Sequence, residues 1–256
     1  MSEKLLIEID NHIAKLIINN PPANTWDQES LSFLKKSIEE LNDNKEIFSL
    51  VITGKGEKFF SAGADLKVFD KGGKEAANEM ATSFATAFSA LSNFRGVSIA
   101  SINGFAMGGG LECALACDIR IAEKQAKLAL PEPKVGLLPC GGGTQQLPRL
   151  VGEGWAKRMI LAGEQVDAEL GLKIGLVEEV VETGESYTNG IELAEQVCNQ
   201  SPLSISACKA LIHSARSQQN SYESEKKPFV ELFDTQDQKE GVSAFLEKRP
   251  PKWRNA

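Results

Sequence analysis

Two glutamates stand where a charged side chain is out of place. Glu112 lies in "AMGGGLECALAC", three residues past the middle of three glycines and among Leu, Ala and Cys. Glu132 lies in "LALPEPKVG", between Pro131 and Pro133 at the end of an apolar run. A buried carboxylate that stays charged and unpaired is costly, so each acid asks for a reason. The run "VSIASING" predicts a buried strand, and the three glycines predict a helix opening directly after it. The first N–H groups of a helix have no intrahelical acceptor and carry partial positive charge. Glycine there removes the Cβ that would hold a ligand off. An oxygen that becomes anionic during a reaction would be stabilised at such amides by about 3–4 kcal/mol per donor. Alone, Glu112 reads equally as an acid settling its helix N-terminus, and Glu132 as a turn acid on a stiff, non-helical segment. Together, flanking an oxyanion donor, they make a general acid–base pair in which proximity raises one pKa and one group keeps its proton.

Other chemistries fare worse. The chain has only two histidines, His12 in a turn and His213 on a helical stretch, which argues against histidine catalysis and a His-rich metal site. No G-x-S-x-G occurs, "GKGEKFF" lacks the Gly-Lys-Ser/Thr of a P-loop, and "GFAMGGGLE" lacks dinucleotide spacing. The five cysteines, Cys113, Cys117, Cys140, Cys198 and Cys208, lie among apolar residues and read as packing. A net charge of -7 disfavours nucleic acid, and a phosphorylated ligand would need a local basic patch. The N-terminus has no signal-peptide pattern and no apolar run spans a bilayer, so a soluble, reduced, cytoplasmic protein without a membrane partner is expected.

The elements that must position these residues follow from pattern. "KLLIEID" and "IAKLIIN" predict a hairpin, "SLSFLKKSIEELNDN" a helix and "FSLVITG" a buried strand. "GKGEKFFSAGADL" reads as a loop, followed by helix to about Ser92. "CDIRIAEK" and "AKLALPE" predict strands, after which the pattern is mostly helical, with a short β-like "LVEEVV". The expected class is an α/β core over residues 1–199 with an α-helical C-terminal region over 200–256.

"FFSAGADLK", "INGFAMGGGLECALACDIRIA", "LPEPKVGLLPCGGGTQQLPRLVG" and "EGVSAFLEKRPPKW" together resemble the crotonase superfamily, and within it the enoyl-CoA hydratases, over essentially the whole chain. That resemblance implies a spiral of ββα repeats and C-terminal helices that build a homotrimer, or a hexamer of paired trimers. It implies an oxyanion hole from the backbone N–H groups of Ala64 and Gly109, with Glu112 and Glu132 as the acid–base pair. Ala62, Ala64, Asp65, Leu66 and Lys67, with Gly108 and Gly109, match the segments that line the coenzyme A thioester. Lys248 matches a C-terminal lysine that reaches CoA across a subunit contact, and Lys55, Lys58 and Lys67 are cations available to its phosphates. Cys140 stands where the family often carries glycine; it keeps the N–H but adds bulk beside the acyl group, and Trp26 with residues 68–92 is expected to shape the acyl site. The acyl-CoA is the substrate and no cofactor is implied. A Δ3,Δ2-enoyl-CoA isomerase would rely on the single acid at 132, so the second acid at 112 favours hydration. A non-catalytic acyl-CoA or RNA binder would need neither.

Overall fold

The computed structural model describes residues 3–66, 73–215 and 234–256. Two sheets form its frame. Strands β1 (Leu5–Asp10) and β2 (Ile13–Ile18) make the expected hairpin. They join β3 (Ser49–Gly54), β5 (Val97–Ile102), β7 (Ile119–Glu123) and β10 (Glu179–Val181) in a sheet ordered β1-β2-β3-β5-β7-β10, parallel beyond the hairpin. Every residue of β3 is buried, because both faces of this central strand are covered. Side-chain alternation divides it: Leu50 and Ile52 enter the main core, while Val51 joins Ile13, Ile99 and Ile121 under helix α6 (Ser186–Cys198).

The second sheet comprises β4 (Phe59–Ser61), β6 (Phe105–Met107), β8 (Lys127–Ala129) and β9 (Val166–Asp167), in that order. Chain order therefore alternates between sheets: β3 then β4, β5 then β6, β7 then β8. Each pair is followed by a helix, α2 (Gly73–Ser92), α3 (Gly109–Ala116) and α4 (Gly143–Leu161). This is the expected ββα spiral. Helix α1 (Gln28–Asp43), capped by Asp27 in a reciprocal box with Ser30, packs against α2.

Three strands of the second sheet depart from expectation. Residues 59–61 fell within a predicted loop, 105–107 were read as the lead into a helix, and β9 was not foreseen. Runs of two or three residues carry no readable periodicity, and only pairing with a neighbouring strand defines them. The helix over 143–161 is interrupted at Gly152, whose backbone is non-helical (φ 76°), matching the two separate helical stretches in the sequence.

The C-terminal region contributes α7 (Pro202–Ser214) and α8 (Gln236–Glu247), with the shorter α5 (Ala168–Ile174) before β10. Only Pro202 of α7 is fully buried; Leu203, Ile205 and Leu211 are half-buried and Ile212 is 66% exposed. What fastens α7 is polar. Lys209 Nζ donates to the carbonyls of Phe94 (2.6 Å) and Gly96 (3.0 Å) and to Asp118 Oδ2 (2.6 Å). No helix among the described residues is long and apolar enough to cross a membrane.

Lys209 and Asp118 are mostly buried, at 11% and 17% side-chain exposure. Lys209→Met is therefore expected to cost about 2–4 kcal/mol by leaving Asp118 and two carbonyls without their cation. Urea denaturation measures it; a loss below about 0.5 kcal/mol would show that α7 is held by something else.

Candidate active site

Strands β4, β6 and β8 run parallel, so their carboxyl ends lie at one edge of the second sheet. Ligands gather at such edges because three successive loops converge there. The loop after β4 carries Ala62 to Leu66, the turn after β6 carries Gly108 and Gly109, and the segment after β8 carries Glu132. They surround a cavity of about 310 Å³ whose lining includes Ala62, Ala64, Leu66, Gly108, Gly109, Glu112, Glu132 and Cys140. Its remaining wall is mainly apolar, from Phe84, Met107, Pro131, Val135, Leu137 and Leu138, together with Lys134.

The glycine run now has a physical account. Gly108 caps α3 at φ 53°, ψ −126°, a conformation closed to residues with a Cβ, and a Cβ there would sit 3.1 Å from Glu132 Oε1. At Gly110 a Cβ would overlap the Ser61 carbonyl, so the first turn of α3 lies directly on the end of β4. That contact sets the turn carrying Gly109 against the loop carrying Ala64. Trp26 exchanges both hydrogen bonds of its parallel bridge with the residues flanking Ala64: its N–H donates to Gly63 O, and it accepts from Asp65 N, at 2.8 and 2.9 Å. Ala64 N–H is left pointing away from Trp26. Neither it nor Gly109 N–H, at the start of α3, donates to an acceptor among the described residues.

Glu112 is 2% exposed, and its Oε1 accepts from the amides of Gly141 and Gly143, both at 2.8 Å. Burial pushes its pKa up, and the two amides pull it part of the way back. The "CGGG" segment is thus a cradle for this carboxylate, a role that glycine spacing alone did not reveal. Glu132 opens a short 3-10 turn, Glu132–Val135, rather than the non-helical segment expected. Pro133 fixes a φ that suits the start of such a turn, and Gly136 closes it in a left-handed conformation. Glu132 Oε2 is buried without a donor among the described residues. Burial first, then the negative charge of Glu112, raises its pKa to about 7, against a lowering by its own backbone N–H.

The other predicted residues separate. Asp65 is half-buried and off the cavity wall, Leu66 forms the rim at 51% exposure, and Lys67 lies outside the described residues. Lys55, Lys58 and Lys248 do not line the cavity of their own chain; Lys58 lies over the Phe59 ring. Trp26, expected to shape the acyl site, is a correction: it is fully buried behind the cavity, edge-on to Phe88. Phe84, within the expected 68–92 stretch, does line the site, while residues 68–72 lie outside the described part. Lys134 was not anticipated, although its place two residues after Glu132 was a usable signal.

A cavity lined by two glutamates and by the loops at the carboxyl ends of β4, β6 and β8, on a ββα spiral, is the arrangement of a crotonase-fold enzyme. The pattern for "Enoyl-CoA hydratase/isomerase" matches residues 8–256, and the chain belongs to that family. It is 36% identical to the short-chain-enoyl-CoA hydratase of Clostridium acetobutylicum, over 96% of this chain and 95% of that protein. Among solved structures it is similar to Pseudomonas aeruginosa DspI (60% identity, TM-score 0.96, covering 99% of this chain and 97% of that one). It also resembles the Bacillus anthracis enoyl-CoA hydratase (33% identity, TM-score 0.94, 99% and 100% covered).

The raised pKa of Glu132 has a consequence for stability. A carboxyl whose proton is held more tightly in the folded state costs nothing below its ordinary pKa of 4.5 and destabilises as pH rises through about 7. Glu132→Gln is expected to match the native protein near pH 4 and exceed its stability near pH 8 by about 1–2 kcal/mol, after discounting for partial solvent screening. Denaturation at the two pH values measures this; equal stabilities at both would place the Glu132 proton affinity in the ordinary range.

Proposed function

We propose that this enzyme adds water, syn, across the double bond of a trans-2-enoyl-CoA to give the 3-hydroxyacyl-CoA. The observation that carries the reading is the pair of unequal carboxyls on one cavity: Glu112 held by two amides, and Glu132 with its pKa near 7. The thioester oxygen sits between the amides of Ala64 and Gly109, which stabilise the enolate formed as C3 is attacked. Glu112, with Oε1 pinned, takes a proton from water through Oε2 while the water oxygen bonds to C3. Glu132 gives its proton to C2. Glu112 ends neutral and Glu132 anionic, and a proton passing between them through solvent resets the pair. Because the charge of Glu112 is itself a cause of the raised Glu132 pKa, base and acid fall in that order.

The isomerase alternative needs one acid to move a proton between C4 and C2. Nothing in that reaction calls for a second acid fixed by two backbone donors, and the short-chain hydratase relative also favours hydration. The exposed Ile212 and the half-buried Leu203, Ile205 and Leu211 of α7 support a trimer or hexamer, in which Lys248, exposed and off its own cavity, would reach CoA only across a subunit contact. The segment from Ala64 to Lys67 is read as lining the CoA arm. No metal or organic cofactor enters this scheme, and the cytoplasm is the proposed compartment.

Purified protein is expected to bleach the enoyl absorbance of crotonyl-CoA. Glu112→Gln and Glu132→Gln should each lower kcat by at least about a hundredfold with the fold retained. The native kcat/KM should fall above about pH 7 as Glu132 loses its proton, and fall again in acid as Glu112 gains one. Undiminished absorbance, or native rates in either variant, would remove hydration by this pair.

A further inference from the structure

A second cavity of about 410 Å³ lies behind the catalytic one. Ala85, Phe88, Ala116 and Pro139 give it apolar wall, and Ser89 and Gln145 line its polar, solvent-facing side. Among the described residues the two cavities share a single lining residue, Cys140. Helix α2 supplies the rest of the partition. Phe84 faces the catalytic cavity and Phe88 the rear one, the two rings packed edge to face at 5.5 Å. The two rings fill the partition there, and Cys140 is its thin point, the one described residue that meets both cavities.

The position of that thin point matters. Glu112 is held through Gly141, the residue next to Cys140. Cys140 lines the same cavity as Glu112 and Glu132, and burial, followed by the charges of the two acids, raises its thiol to about 11. A neutral thiol there is a wall and not a nucleophile. In the proposed reaction the acyl chain continues from C3 within the cavity that Cys140 lines together with both acids.

We propose that Cys140 sets the acyl length this enzyme accepts: its side chain is the stop at the end of the acyl pocket, and the rear cavity is space that longer acyl groups reach once the stop is removed. This deepens the hydratase reading and rests on it for the placement of the acyl chain. One methylene fitted or refused by a hydrophobic pocket is worth roughly 10–200-fold in kcat/KM.

The test compares Cys140→Ala and Cys140→Gly with the native protein, using the ratio of kcat/KM for trans-2-octenoyl-CoA to that for crotonyl-CoA. Both variants should raise the ratio by about tenfold or more. Glycine is the residue the family pattern often carries here, which keeps the test open if the alanine variant folds poorly. Ser89→Phe, filling the rear cavity from its exposed side, should leave the native ratio in place and cancel the gain when combined with Cys140→Ala. Calorimetric Kd values for the inert octanoyl-CoA and butyryl-CoA give the same comparison without turnover. A shifted binding ratio in a protein that hydrates nothing would uphold the stop and overturn the hydratase. Hydration with an unchanged length ratio in both Cys140 variants, or a gain that Ser89→Phe does not cancel, would overturn the stop and leave the hydratase standing. Failure to bind either thioester would overturn both.

Discussion

The site depends on one backbone-to-backbone contact. The first turn of α3 lies on the carbonyl end of β4 with no side chain between them, at a separation only glycine allows at position 110. Gly63 completes the contact from the other side, since a Cβ there would come within 3.0 Å of the Gly109 nitrogen. The loop that carries Ala64 and the turn that carries Gly109 are thereby locked together. In the proposed reaction, amides fixed beforehand would need no reorganisation when charge appears.

An eight-residue helix cannot hold that geometry unaided, because isolated short helices are marginal. Every residue of α3 is buried, so packing supplies what propensity does not. Its far end is tied as well. Asp118, two residues beyond the helix, accepts from Ser98 N and Oγ at 2.8 and 2.9 Å and from Lys209 Nζ. The helix that presents Gly109 and Glu112 is thus fixed at its start by close packing and near its end by charge. The same Lys209 draws the C-terminal helix into the support of the active site.

Much of this was legible in the sequence. Long β-rich runs such as "IAKLII" and "SLVITG", and the capped α1, carry strong periodicity and became the elements expected. Glu112 and Glu132 were visible as acids in apolar surroundings. The short strands β4 and β6 were not, although they deliver both amides, because a three-residue strand exists only through its partners. Trp26 was misplaced for a related reason. An aromatic near a site motif reads as lining, whereas burial at 0% and its bridge to Ala64 make it a backbone brace. The Gly141 and Gly143 cradle went unseen because a donor's target lies nearly thirty residues away in sequence.

The two carboxyls show how one chemical group meets two environments. Burial raises the pKa of both. What separates them is hydrogen bonding. Two amides meet one oxygen of Glu112 and favour its charged form, while Glu132 has an Oε2 without a donor among the described residues and feels the charge of its neighbour. Adding a donor to Glu132 would strengthen the fold at neutral pH and lower its pKa. The unsatisfied oxygen is therefore a stability cost, carried by a fold whose α3 is fully buried and anchored near its end by the Lys209–Asp118 pair.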